Sequence, residues 1–327
     1  MPGRGITQKQ SNAERIVLER NMVTRRYRMT WDLQRCVGCD IGPKVCPKEA
    51  VIHVAAEIEN GRLIRKPTID IDAQKCILCG ICEVMCPKNA ITLTINDQPE
   101  NPVMTYDAFA RLTQSTTFDR ERFDWQRKQL VIDNCPTNVI SYDEAADTLV
   151  VDDADCIRCR QCEVAGDGAF QVVQPWEGSV ELNTDRCLPG CLACAGICPT
   201  RALHLAEADN GQPNALILAD YFCIKCGACM QVCPVKAEYE DIQTTVQSHG
   251  VTKQVIFKRL INGDQLPIRV QRWRVKHEPV ESAAWIDALR QLADNKAGAV
   301  EIDRKRALRR RDLLKALKGG GKLLREP

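Results

Sequence analysis

The 327-residue sequence has no run of about 18 or more apolar residues, so it offers no membrane-spanning helix. Aromatic side chains make up only 5% of it. A large aromatic core is therefore excluded, and domains with thin cores need other staples, bound metal among them. Histidine is scarce too: His53, His204, His249 and His277 are the only four. No pair of them has a metal or acid–base spacing, so all read as surface or strand residues. There is no Ser-His-Asp set and no phosphate-cradling glycine loop.

Cysteine, in contrast, is abundant, with 19 residues. An odd count at short, regular spacing argues for metal clusters over disulfides, and thiolates imply a reducing compartment. The chain is organised around Cys76-Ile77-Leu78-Cys79-Gly80-Ile81-Cys82-Glu83-Val84-Met85-Cys86-Pro87. This is the C-x2-C-x2-C-x3-C-P run of bacterial-type [4Fe–4S] ferredoxins, whose first three thiolates share one loop while the fourth ligates a neighbouring cluster. A zinc ribbon would use paired C-x2-C halves, without a third Cys two residues on.

Five further stretches follow that pattern in whole or part, the one from Cys187 with one extra residue between its first two cysteines. Cys36-Val37-Gly38-Cys39 leads to Cys46-Pro47, with Gly42 where the third ligand would stand. Cys135-Pro136 reads as the end of a run, and Cys156, Cys159 and Cys162 as the start of another in which Gly166 replaces the last ligand. Cys187, Cys191, Cys194 and Cys198-Pro199, and Cys223, Cys226, Cys229 and Cys233-Pro234, complete the series. Crossed ligation places every thiol. One set is Cys76, Cys79, Cys82 and Cys46. A second is Cys36, Cys39 and Cys86. A third is Cys135, Cys156, Cys159 and Cys162. The last two are Cys187, Cys191, Cys194, Cys233 and Cys223, Cys226, Cys229, Cys198. In the middle stretch the missing ligands all belong to one cluster, so one site is deleted whole and its neighbour kept whole.

The expected cofactors are four [4Fe–4S] clusters and a fifth iron–sulfur cluster at the three-cysteine site. That site fits a [3Fe–4S] cluster, a [4Fe–4S] cluster completed by Asp40, water or a partner, or an empty vestige.

The fold expected is α+β, with three tandem dicluster-ferredoxin-like units, the middle one degenerate, between extended N- and C-terminal arms. The divisions read as a basic arm over 1–27, a first unit over 28–96, a connector over 97–119, a one-cluster unit over 120–176, a third unit over 177–240, and an extension over 241–327. Period-two alternation in Ile69-Asp70-Ile71-Asp72 and Ile91-Thr92-Leu93-Thr94-Ile95 marks half-buried strands. A helix is expected from about Asn12 to Met22. In the extension, Val255–Phe257 and Ile268–Val270 read as a hairpin around Asn262-Gly263. It precedes a helix near Glu281–Ala293 and a basic helix near Glu301–Lys318.

Charge is uneven. Residues 1–35 hold eight Lys/Arg against three Asp/Glu and residues 301–327 ten against four, so with a net charge of +2 the body between is net −9. The tail Arg304-Lys305-Arg306 to Arg309-Arg310-Arg311 suits an acidic partner subunit better than nucleic acid or a peripheral lipid contact. Thr24-Arg25-Arg26-Tyr27-Arg28-Met29 resembles a twin-arginine export signal, but no apolar segment follows it. A cytoplasmic location is expected.

The repeated runs over residues 30–240 resemble the polyferredoxins, iron–sulfur subunits of hydrogenase, heterodisulfide reductase and formylmethanofuran dehydrogenase complexes. The formylmethanofuran dehydrogenase polyferredoxin is the likeness most in view. The resemblance implies a non-catalytic subunit that relays low-potential electrons within a larger oxidoreductase and has no small-molecule substrate of its own. A freely diffusing carrier is the alternative. Cys187-x3-Cys191-x2-Cys194 also fits the radical-SAM signature, although Cys198-Pro199 follows at ferredoxin spacing.

Overall fold

The computed structural model describes residues 5–205, 216–248, 251–280 and 282–292. The basic segment 301–327 and the helix expected there lie outside the described residues.

Antiparallel strand pairs recur along the chain, each pair flanking Cys loops. Arg26–Asp32 pairs with Ile91–Ile95, bringing Trp31 beside Ile91, and Val51–Val54 pairs with Thr68–Ile71. Ser115–Phe118 pairs with Phe170–Val173, and Ile140–Asp143 with Thr148–Val151. Leu203–Leu205 pairs with Leu216–Leu218. In each case alternate side chains point inward, as the pleat requires: Ile69 and Ile71 are buried, as are Ile91, Leu93 and Ile95. Ser115–Phe118, read as connector, is thus a strand laid on the middle Cys loops.

The last Cys unit departs from this scheme. Its leading strand Trp176–Leu182 pairs with Ile268–Val275 from the C-terminal extension. The return strand Tyr239–Ser248 instead forms a ten-residue hairpin ladder with Val251–Leu260. The hairpin expected between Val255–Phe257 and Ile268–Val270 is therefore not formed; both segments are strands with other partners. Asn262 explains the misreading. It leads into a 3-10 turn, Gly263–Gln265, and not a two-residue hairpin turn, while its side chain accepts from Glu238 N at 2.9 Å and donates to Lys236 O at 3.0 Å, closing the base of the other ladder.

The helix expected from Asn12 to Met22 is also corrected. Thr7–Ser11 and Arg15–Asn21 are strands that extend the sheet beyond Arg26–Asp32. Asn12 resembles a helix N-cap, but its side chain accepts from Glu14 N (2.9 Å) and Arg15 N (2.8 Å) to close a hairpin turn. Ile16, Val17 and Leu18 are all buried, and a short continuous apolar run does not distinguish strand from helix. This segment is no free arm. Arg20 donates to Cys76 O at 2.8 Å, and Lys9 is ion-paired with Asp70.

The helix Ala283–Leu292 forms as expected. Its face of Trp285, Ala288, Leu289 and Leu292 packs on Ile41, Val45, Ile81 and Met85 from the first Cys loops, with Phe109 edge-on to Trp285 at 4.9 Å. No described helix is long and apolar enough to cross a membrane.

Candidate iron–sulfur sites

The Cys loops repeat one backbone pattern. The residue before the second Cys is left-handed in four of them: Gly38 (φ 57°), Leu78 (55°), Arg158 (58°) and Lys225 (56°). L-residues rarely adopt this conformation. Here it folds the chain back so that amides face sulfur: Gly38 N donates to Cys36 Sγ at 3.4 Å and Lys225 N to Cys223 Sγ at 3.3 Å. Each of four Cys-Pro segments holds another left-handed residue, Glu49, Asn89, Asn138 or Arg201. Beyond it Ala50 N, Ala90 N and Val139 N donate to Cys46, Cys86 and Cys135 at 3.3, 3.3 and 3.4 Å. Hydrogen bonds to sulfur favour the thiolate and tune a bound cluster's potential.

After the second Cys, Gly80 (φ 87°), Arg160 (65°) and Gly227 (80°) are again left-handed. Each opens a one-turn helix carrying the third Cys, namely Cys82, Cys162 or Cys229. Asp40 and Leu192 at the same place have φ −83° and −127°, so the loop with the missing thiol and the loop with an extra residue both leave this pattern.

The structure gathers the thiols across loops. Burial pushes Cys82 well above the ordinary thiol range, and Cys79, Cys76 and Cys46 push it further. Burial and then Cys159, Cys156 and Cys135 raise Cys162 to about 12. Burial and then Cys187, Cys191 and Cys233 raise Cys194 to about 12. Burial and then Cys226, Cys223 and Cys198 raise Cys229 far above its usual value. Cys46, Cys135, Cys233 and Cys198, distant in sequence from the loops they join, stand beside those loops in space.

The three remaining thiols share a site. Cys39 is raised by burial, then by Cys226, Cys86, Asp40 and Cys36. The sets also adjoin one another, since Cys82 feels Cys86, Cys229 feels Cys194, and Cys39 feels Cys226. Lys88 is half-buried near Cys226, Cys86 and Cys159.

This donor chemistry fits iron–sulfur clusters. All 19 cysteines are free and at least partly buried. The Cys198/Cys223/Cys226/Cys229 set and the Cys187/Cys191/Cys194/Cys233 set each line a cavity of about 350 Å³. A cavity of about 370 Å³ is lined by Cys36, Cys39, Cys82 and Cys86. Among the described residues no three His, Cys, Asp or Glu converge as ligands of a single ion. One tetrahedral zinc needs all its sulfurs about 2.3 Å from one point, whereas a cluster offers each thiolate its own iron. Buried thiols that resist ionisation alone lose their protons to a bound cation.

Asp40, the candidate fourth ligand of the three-cysteine site, is engaged elsewhere. Its Oδ1 accepts from Arg272 Nη2 and its Oδ2 from Lys44 Nζ, both at 2.9 Å. Burial alone would raise its carboxyl, but the Arg272 and Lys44 charges outweigh that and hold it far below the usual carboxylate range. Arg272 also donates to Lys225 O (2.7 Å) and Cys226 O (2.9 Å), so one guanidinium joins the Cys39 loop to the Cys226 loop. A Cβ on Gly227 would fall 2.8 Å from both Arg272 and Asp40. Sequence reading missed Arg272. The available signal was its place in Ile268-Arg269-Val270-Gln271-Arg272, on the inward phase of an alternating strand.

Where the middle stretch lacks ligands, aromatics fill the space. A Cβ on Gly166 would lie 2.9 Å from the Phe170 ring. Phe170 packs 4.7 Å from Phe118, which meets Phe123 at 5.2 Å, and Trp125 and Tyr142 extend the cluster. Five of the chain's few aromatic rings are concentrated here.

Two stretches match family models: residues 178–237 match the 4Fe-4S dicluster domain and residues 69–92 the 4Fe-4S binding domain. The comparison with curated proteins found no match. Among solved structures, eight chains match. One belongs to the formate dehydrogenase–heterodisulfide reductase–formylmethanofuran dehydrogenase complex from Methanospirillum hungatei, with TM-score 0.67 and 22% identity over 92% of this chain and 98% of that chain. The matched stretches contain Cys loops whose backbone turns recur outside them, and the chain thus carries ferredoxin-type 4Fe-4S domains over 69–92 and 178–237 within a fold shared with a chain of that complex.

Proposed function

We propose that this chain is an electron-transfer subunit of a larger oxidoreductase complex, without a catalytic site of its own. Four sets would hold [4Fe–4S] clusters: Cys46/Cys76/Cys79/Cys82, Cys135/Cys156/Cys159/Cys162, Cys187/Cys191/Cys194/Cys233 and Cys198/Cys223/Cys226/Cys229. Cys36, Cys39 and Cys86 would hold a fifth cluster. When bound, such clusters supply reversible one-electron storage over a potential range set by charge, hydrogen bonds to sulfur and exposure. The protein's part is to hold the thiolates, aim amides at them and exclude water.

The observation that carries this reading is the convergence of thiols from separate loops on shared sites, as where Cys46 meets Cys76, Cys79 and Cys82. The same neighbour relations suggest a relay order. The Cys76 set adjoins the Cys36 site through Cys82 and Cys86, and that site adjoins the Cys226 set through Cys39. The Cys226 set adjoins the Cys187 set through Cys229 and Cys194. The Cys156 set sits to the side, joined through Lys88. The fold likeness to a chain of a heterodisulfide reductase- and formylmethanofuran dehydrogenase-containing complex favours partner subunits of that class.

The test is anaerobic purification from the native source. Iron and sulfide in cluster stoichiometry, reduced-state EPR of interacting [4Fe–4S] centres and co-purifying oxidoreductase subunits are expected. A chain that elutes alone yet is reduced and reoxidised would favour the diffusing carrier, and one that cleaves S-adenosylmethionine would defeat the non-catalytic reading.

A further inference from the structure

We propose that Cys36, Cys39 and Cys86 hold a three-iron [3Fe–4S] cluster, with the Trp31 indole at the vacant corner and its N–H donating to a sulfur of the site. This rests on the multi-cluster reading above and specifies the one site left with three thiols.

The first argument is ligand count. A cubane takes one protein donor per iron, four in all, and this cavity presents three thiols of its own. Cys82 also lines it, but belongs with Cys79, Cys76 and Cys46, which stand ahead of Cys86 among its neighbours. Asp40 does not line the cavity, and its oxygens are bound to Arg272 and Lys44. The only other basic group on the wall is Lys88.

The second argument is shape. The cavity, about 370 Å³, is no smaller than the two four-thiol cavities of about 350 Å³, so the site has not collapsed around a lost cofactor. The third-ligand position is Gly42. A Cβ there would meet the six-membered ring of Trp31 at 3.5 Å. That is ordinary contact distance, so the indole lies directly against the position from which a third thiol would project.

The third argument is an orphaned donor. Trp31 is 3% exposed, lines the cavity, and its Nε1–H has no hydrogen-bond partner. A buried unmade N–H bond is costly. A sulfur-rich cluster beside Cys36 supplies the missing acceptor, alongside the amides that Gly38 and Ala90 already direct at Cys36 and Cys86.

The experiment uses the anaerobically purified full chain. An oxidised [4Fe–4S] centre is diamagnetic, whereas an oxidised [3Fe–4S] centre carries one unpaired spin. The oxidised protein should show that spin-half signal at one per chain, with about 19 iron atoms bound if four cubes and one three-iron cluster are present. Cys36→Ala should abolish it while the reduced-state [4Fe–4S] signals persist. Trp31→Phe should retain it with a lower midpoint potential, since a donor to sulfur favours the reduced form. An EPR-silent oxidised chain with about 20 iron atoms, or one with about 16, overturns the proposal, as does a signal that survives Cys36→Ala. An unshifted midpoint in Trp31→Phe removes the indole's role. Absence of every [4Fe–4S] signal would instead defeat the multi-cluster reading.

Discussion

Arg272 is the residue on which two cysteine loops depend. Its side chain is 1% exposed, and its guanidinium meets Asp40 and the carbonyls of Lys225 and Cys226. Removing one member of a buried ion pair costs roughly 3–5 kcal/mol, and here Lys44 still faces Asp40, which favours the low end of that range. Arg272→Met is expected to lose about that much stability, measured by urea unfolding followed through cluster absorbance. Arg272→Lys should fall between, because it keeps the charge but loses the planar fork. Asp40→Asn in the Met background should recover part of the loss, which a double-mutant cycle measures. Asp40 also shows the limit of sequence reading at this scale. Its place beside Cys39 suggests a ligand, while its actual partner lies 232 residues away. The thiols were legible because the spacing of cluster ligands is local; an ion pair closed by the fold has no local spacing to read.

Among the elements, the hairpin of Glu57–Glu59 and Arg62–Arg65 ties the first cysteine unit to the last. Its turn, Asn60-Gly61, is left-handed at both residues, the strongest short-range hairpin signal in a sequence. A Cβ on Gly61 would lie 2.6 Å from Cys191 Cα, and Gly61 O accepts from Leu192 N at 2.8 Å. The neighbour is backbone, so a side chain cannot rotate away. Gly61→Ala is expected to cost on the order of 1–3 kcal/mol in strain and to push the Cys191 loop outward. Iron release to a mild chelator should then show one cluster's worth leaving faster than the rest. No change in release would mean that the hairpin does not support that loop. The elements read correctly, such as Ile91–Ile95 and Ala283–Leu292, carry a clear period in their own residues. Arg15–Asn21 is misread in state and Val255–Phe257, a strand as expected, in its partner; both are settled by pairing that a short window does not show. The same holds for Ser115–Phe118, whose pairing with Phe170–Val173 bridges more than fifty residues.

At the scale of the molecule, the cysteine units are not beads on a line. Ile268–Val275 supplies the strand that seals Trp176–Leu182, and Ala283–Leu292 covers helices of the first Cys loops. The C-terminal extension therefore binds the last unit to the first. That folding back places Cys39 beside Cys226, and it makes the Cys36 site the junction of the proposed relay. Two substitutions separate this layout from a linear one. Cys39→Ala is expected to interrupt electron redistribution between the Cys76 and Cys187 sets, because each then loses its connecting centre. Cys159→Ala removes a centre to the side and should leave that redistribution intact. Freeze-quench EPR after partial flash reduction follows both. If the units conducted in chain order, the Cys156 set would stand between the other two and the outcomes would reverse.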